Sequence, residues 1–267
     1  MDQLERLVTK ANQGDKRALE LVILNIKDLV YNLSLKMLLF PEDAKDATQE
    51  ILIRVITHLS TFKHKSKFTT WVYRIAVNYL ISYKGKLSSN FAMSFEEYGR
   101  MIDTGQSDQV AYTVNEGELN LLEEEVKVSC TQGVLLCLNE LDRMIYILSE
   151  LFGYNSVEGA ALLNISSDNY RKKLSRARHK IRNFLQSKCG LVNESASCRC
   201  RKKIDFLIDL QLLNPERLRF AHLSKRSIDV VRKLQHLERT AAVYQSVPNF
   251  DAPQDLINRL KETLEVD

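Results

Sequence analysis

PEDAKDATQEILIRVITHLSTFKHKSKFTTWVYRIAVNYLISYK, residues 41–84, decides how the rest of the chain reads. It opens acidic and then turns basic. From Ile51 to Phe95 there is no Asp or Glu, while Arg54, Lys63, Lys65, Lys67, Arg74, Lys84 and Lys86 are all present. Pro41 and Asp43 mark a helix start, because proline has no N–H to lose in a first turn. On a helix over about 43–59, Ile51, Leu52, Val55, Ile56 and Leu59 form an apolar stripe. Asp46, Gln49, Glu50 and Ile53 share another face, since residues three and four apart are helical neighbours. These acids suit the positive end of the helix dipole, and a carboxylate–amide cluster beside an exposed Ile also suits a protein partner.

The loop that follows, 60–70, carries Lys63, Lys65 and Lys67 together with Phe62 and Phe68. The next helix, about 69–84, is expected to bury Val72, Ile75, Ala76 and Tyr79. Its other face holds Thr70, Trp71, Arg74 and Asn78. Cations beside rings suit single-stranded nucleic acid. Phosphates meet the cations and unstacked bases sit on the rings, at about 1–3 kcal/mol per base. The competing reading is a solvated lysine loop with Phe68 and Trp71 as core residues.

Outward from this stretch the chain is helical in pattern. Its 267 residues are 45% hydrophobic, enough for two small cores, and only four prolines occur, three of them after position 214. Long periodic runs and the lack of alternation predict an all-α protein. The net charge of +4 conceals strong segregation, which argues for partner surfaces. Leu4, Leu7, Val8, Ala11, Ala18, Leu19, Val22, Ile26, Val30 and Leu33 read as core helices, with Asp15 as an N-cap. The N-terminus MDQLERLV does not read as a signal peptide, and no run reaches the roughly 18 apolar residues of a membrane span, so a cytoplasmic location is expected. No nucleophile–base constellation or phosphate-cradling glycine loop appears, so the expectation is a non-enzyme. An enzyme built on Cys189 or Cys198 lacks a paired histidine motif.

Residues 87–129 are acidic, with nine Asp and Glu between Glu96 and Glu125 against the single base Arg100, and read as a partly disordered linker. In 130–188, Leu138, Leu141, Ile145, Leu148 and Phe152 mark a helix ended by Gly153. Asn155 with Glu158 gives a capping-box start to a short helix, Asn164–Ile165 a turn, and Ser166 a cap for the last helix. That helix carries the stripe Tyr170, Leu174, Ala177, Ile181. Its outer face holds Ser167, Asp168, Arg171, Lys172, Ser175, Arg176 and Arg178. Short helix, tight turn and basic second helix make a helix-turn-helix. The extension 189–267 contains CGLVNESASCRC and helical patterns at about 204–212, 224–245 and 254–264. Its Cys189, Cys198 and Cys200, with His222, admit three readings: buried thiols, a structural Zn²⁺ site, or a redox switch. Cys130 and Cys137 are expected in the core.

GDKRALE at 14–20, PEDAKDATQE at 41–50 and FTTWVYRIAVN at 68–78 resemble region 2 of sigma-70-family transcription initiation factors, the extracytoplasmic-function group in particular. NISSDNYRKKLSRARHKI resembles region 4 of the same family. The resemblance covers about residues 1–186. It implies two small helical domains, region 2 at 1–86 and region 4 at 130–188, joined by the acidic linker and followed by a helical C-terminal extension. It implies an alternative bacterial sigma factor with no cofactor required. Asp46, Gln49 and Glu50 would hold the clamp helices of the RNA polymerase β′ subunit, with Ile53 on the same face. Lys63, Lys65, Lys67, Phe68, Thr70, Trp71, Arg74 and Asn78 would melt and bind the −10 element. Ser167, Asp168, Arg171, Lys172, Ser175, Arg176 and Arg178 would bind the −35 element, with the polymerase β flap beside them. Candidate regulators are an anti-sigma factor or the extension itself. In relatives the acidic linker threads through polymerase. Departures from the family pattern include His64–Lys65, where a glycine followed by an acid is common, and Gly159, where an acid is common. The rival reading is a polymerase-independent helix-turn-helix regulator with a metal- or redox-sensing tail. It leaves Asp46, Gln49 and Glu50 without a role.

Overall fold

The computed structural model describes residues 2–91, 93–112, 115–220, 244 and 248–264. Among the described residues the regular structure is helical, with no strand beyond an isolated bridge between Cys189 and Cys198. The protein is all-α, as its periodicity predicts. Two compact units form: residues 1–90, 155–170 and 249–267, and residues 91–154 and 171–248.

The first unit is built around α2 (Lys16–Leu38). Asp15 caps it, its carboxylate accepting from the Ala18 N–H at 2.9 Å. Early in α2 only one stripe is buried, Ala18, Val22 and Ile26, because α1 (Gln3–Asn12) covers one side. From Val30 to Phe40 every residue is buried. Helices α3 (Pro41–Thr57) and α4 (Phe68–Ser82) pack on this part as well. A helix covered all round must satisfy its polar side chains internally. Ser34 donates to the Val30 carbonyl at 2.9 Å. The Asn32 amide donates to the Phe250 carbonyl and accepts from the Phe250 N–H, both at 2.7 Å. Lys36 donates to the Asn249 side chain at 3.1 Å. The segment before the C-terminal helix thus lies along α2.

Asp43 does more than start α3. Its buried carboxylate accepts from the N–H groups of Leu87 at 3.0 Å and Ser88 at 2.7 Å, which fixes α5 (Lys86–Asn90) against α3. The short α9 (Ser156–Leu163) packs on α4. The last helix, α12 (Asp255–Leu264), packs on α3 and matches the expected 254–264 pattern.

The second unit holds α6 (Phe95–Asp103), α7 (Glu116–Leu136) and α8 (Glu140–Tyr146), which continues as a π-turn over Ile147–Leu151. The stretch read as a partly disordered connector is therefore substantially helical. Ser94 and Glu97 close a capping box on α6, and Tyr98 and Ile102, one turn apart, supply its buried side. Gly99 is buried beside them, and Phe95, Tyr98 and Ile102 keep helical spacing, a signal overshadowed in the sequence by the acids around it. In α7, buried Glu125 accepts from the Arg219 and Phe220 N–H groups at 2.8 and 2.7 Å. Leu122 and Val126 form a core cluster with Ile204 and Leu213 of the extension. The expected 204–212 helix is a 3-10 turn at Arg201–Lys203 and α11 (Ile204–Asp209). The expected 224–245 helix lies outside the described residues, apart from Tyr244. Helix α10 (Ser167–Lys188) follows α9 in sequence.

Burial of Lys36 lowers its pKa from 10.5 to about 8. Between those values the unfolded chain holds the extra proton, so stability rises with pH through that window. Wild type should accordingly gain stability relative to Lys36→Met as pH rises through that window, read by denaturant titration. A constant difference would remove Lys36 as the titrating group.

Candidate functional site

Three surfaces collect the residues singled out from sequence. The first is the outer face of α3. Asp46 and Glu50 are exposed, Gln49 and Ile53 half-buried, and together they form the expected row. The opposite stripe, Ala44, Ala47, Ile51, Leu52 and Val55, is fully buried and holds the row outward. The row is not bare. Arg259 of α12 lies 3.8 Å from Asp46, and the Gln49 amide donates to Thr263 at 3.2 Å.

The second surface is the loop before α4 and one face of that helix. Lys63, Lys65 and Lys67 are exposed. Phe62 anchors a ring cluster, with His64 at 4.6 Å, Phe68 at 5.2 Å edge-on and Trp71 at 5.7 Å. Phe68 stacks on Trp71 at 5.6 Å with 24° between planes. Here one expectation is corrected. Phe68 is only 2% exposed, so it is the floor beneath Trp71 and offers no ring face to a base. Trp71 and Thr70 are half-buried, Arg74 and Asn78 exposed. His64 sits at φ 55°, the left-handed conformation that glycine adopts without steric cost.

The buried arc of α4 is also broader than the stripe read from sequence. Val72 and Ala76 are buried as expected, but Tyr73, Val77 and Leu80 join them, while Ile75 and Tyr79 are half-buried. Packing against α2, α3 and α9 at once is the reason. Ile75 and Tyr79 instead line a cleft of about 520 Å³ with Arg54, His58, Asn78, Ser82, Tyr83 and Lys84. The Arg54 guanidinium lies 4.8 Å from the Tyr79 ring centroid. Burial, reinforced by nearby carboxylates, raises both phenols, Tyr83 to about 12, so both keep their protons at neutral pH. Sequence reading missed this cleft. Its signal was the cation–aromatic pairing of Arg54 with Tyr79 across two helices, which no local spacing reveals.

The third surface belongs to α9 and α10. Asn155 accepts from the Val157 and Glu158 N–H groups at 2.9 and 3.0 Å, and Glu158 accepts from the Asn155 N–H at 3.1 Å. Asn164 takes the left-handed conformation (φ 51°, ψ 44°), and Ser166 accepts from the Asn169 N–H at 3.2 Å. Caps and turn thus follow the sequence reading. Tyr170, Leu174, Ala177 and Ile181 are buried. Asp168, Arg171, Lys172, Ser175, Arg176 and Arg178 are exposed and Ser167 half-buried. Arg178 differs from expectation in being paired, Nη2 lying 2.6 Å from Glu150. Only the arginine side of this pair is open to solvent; Glu150 is largely buried and also accepts from Arg178 Nε at 2.9 Å, so the guanidinium is held in place with its outer edge exposed. Gly159 has a packing reason: a Cβ there would lie 2.4 Å from the buried Tyr170 ring.

Cys130, Cys137, Cys189, Cys198 and Cys200 are all half-buried free thiols. Burial lifts Cys130 and Cys137 to about 12 and raises Cys198 and Cys200. Among the described residues, no group of three or more His, Cys, Asp or Glu side chains is arranged to hold a metal ion. His222, named with these cysteines, lies outside the described residues. No described helix is long and apolar enough to cross a membrane.

Family models for Sigma-70 region 2 and Sigma-70 region 4 match residues 23–89 and 130–181. The chain is 25% identical over 189 residues to the RNA polymerase sigma-H factor of Pseudomonas aeruginosa, covering 69% of this chain and 95% of that one. It is 27% identical over 188 residues to the ECF RNA polymerase sigma factor SigW of Bacillus subtilis, covering 68% and 97%. A solved structure of CnrH in complex with the cytosolic domain of CnrY aligns with a TM-score of 0.46 at 19% identity, over 69% of this chain and 98% of that one.

Gly159→Ala should lower stability by about 1–3 kcal/mol, the usual cost of forcing an extra carbon into a filled core. Chemical denaturation measures it. An unchanged midpoint would mean that Tyr170 yields freely.

Proposed function

Because the chain belongs to the sigma-70 family of transcription initiation factors, in its extracytoplasmic-function group, we propose that the three surfaces divide the work of starting a transcript. The protein is an alternative bacterial sigma factor that brings RNA polymerase to promoters. Chemistry belongs to the polymerase, and the protein itself supplies binding energy and DNA distortion in the cytoplasm where transcription occurs.

The row Asp46, Gln49, Glu50, Ile53 engages the clamp helices of the polymerase β′ subunit. A line of acceptors on a rigid helix, backed by a fully buried stripe, suits a basic helical partner. The loop lysines 63, 65 and 67, with Arg74, track the phosphates of the −10 strand. Trp71 supplies the ring on which an unstacked base rests, with Phe68 behind it. Thr70 and Asn78 lie along the same exposed side of α4. On α10, Ser167, Asp168, Arg171 and Lys172 stand at the N-terminal end, where a recognition helix meets base edges of the −35 element. Ser175, Arg176 and Arg178 lie further along, towards phosphate. The β flap of the polymerase is the expected neighbour of this domain. An anti-sigma factor is a further candidate partner.

The observation that carries this reading is the adjacency of α3 and α4, which sets an acidic row beside a cation–ring cluster on one scaffold. Replacing Asp46, Gln49 and Glu50 together by Ala should weaken core polymerase binding at least a hundredfold in a pull-down or anisotropy titration, with helicity unchanged. Trp71→Ala should slow promoter opening by roughly 5- to 150-fold, the equivalent of one stacked base, while duplex binding holds. A fluorescent base analogue at −10 reads the two separately, and equal losses would refute the melting role. Arg171→Ala should relax discrimination at one −35 position by about 1–3 kcal/mol, measured by competition between promoter variants.

A further inference from the structure

The C-terminal segment lies on the face assigned above to the polymerase. Leu256 and Leu260, one turn apart on α12, are buried, and Ile257 and Leu260 line a small gap with Leu19 and Ile23 of α2. Polar contacts surround this apolar seam. Asp255 pairs with Lys45, Lys261 with Glu20 at 2.9 Å, Arg259 approaches Asp46 at 3.8 Å, and Gln49 bonds Thr263. Upstream, Phe250 and Ala252 are buried against α2, and the Ala252 N–H donates to Asp28 at 2.8 Å. The inner contacts are apolar and tightly hydrogen-bonded. The outer ones, which touch the row itself, are half-exposed and weak.

We propose that α12 is a built-in competitor for the polymerase: docked on α3, it touches Asp46 and Gln49, occupies the ground beside them that a partner helix would need, and holds the sigma factor back until it leaves. The proposal rests on the assignment of that row to polymerase binding. The exclusion is steric: Arg259 and Thr263 stand against Asp46 and Gln49, and a polymerase helix laid along the same row would meet α12 first. Glu50 and Ile53, further along the row, stay outside these contacts, so an incoming helix has a place to start displacing α12. Because α12 belongs to the same chain, it competes at an effective concentration of the order of millimolar. A docked state favoured about ten to one lowers apparent polymerase affinity about tenfold.

The test uses the full chain and core polymerase titrated by fluorescence anisotropy. Leu256→Asp with Leu260→Asp destroys the seam without touching the row. Asp255→Lys with Arg259→Asp reverses two exposed charges facing Lys45 and Asp46 and leaves the core intact, so it decides the matter if the first variant fails to fold. The first is expected to bind about tenfold tighter than wild type and the second at least threefold tighter. Hydrogen exchange over 41–57 should rise in both before polymerase is added. The Asp46, Gln49, Glu50 triple Ala variant separates the two claims. If it binds like wild type, the assignment of the row falls. If it loses binding while both release variants match wild-type affinity, the competitor role of α12 is overturned.

Discussion

Burial of α2 on all sides from Val30 onward is the constraint on which the first unit depends. A helix in that position needs neighbours on every face, and its polar side chains need partners that water cannot supply. Leaving a buried amide unpaired costs about 1–3 kcal/mol. Asn32 bonds the Phe250 backbone in both directions and the Asp28 carbonyl besides, and Lys36 reaches Asn249. Helices α1, α3 and α4 supply the apolar cover, and the segment near the C-terminus completes it. The positions of α3 and α4, and hence of both surfaces they carry, follow from that central element.

The surfaces themselves show how burial prepares function. The ring of Trp71 is held by Phe68, which is held in turn by Phe62, so the half-exposed indole is fixed in the free protein, as the platform proposed for it requires. Fixing it in advance spares the ordering entropy that a free side chain would lose on binding. The row on α3 is fixed by the same logic, its reverse side being locked into the core. On α10 the outward basic residues follow directly from the inward stripe, because a buried i, i+4, i+7, i+11 set leaves one defined face to solvent.

What was legible in the sequence was local. Asp15, the Asn155–Glu158 box, the Asn164 turn and the stripe on α10 depend on spacings of a few residues, and each is found as read. Region 2 and region 4 were recognisable for the same reason. What escaped depends on distant partners. Asp43 reads as a helix-start acid, yet its carboxylate serves Leu87 and Ser88, more than forty residues on. Phe68 reads as a recognition ring because its burial is set by Phe62 and by packing between helices. Helix α6 escaped because the acids around it overshadow the helical spacing of Phe95, Tyr98 and Ile102. The pairing of α12 with α3 rests on single charges and two leucines, and none of these announces a destination.

The bond between Asn32 and Phe250 spans 218 residues. During synthesis the first helices leave the ribosome long before the segment that closes over them. Until residues 249–264 have been made, α2 keeps a carboxamide and an ammonium facing outward, and Asp46 and Gln49 lack their contacts with α12. A nascent chain therefore passes through an open form, and a product cut short before residue 249 would be fixed in it.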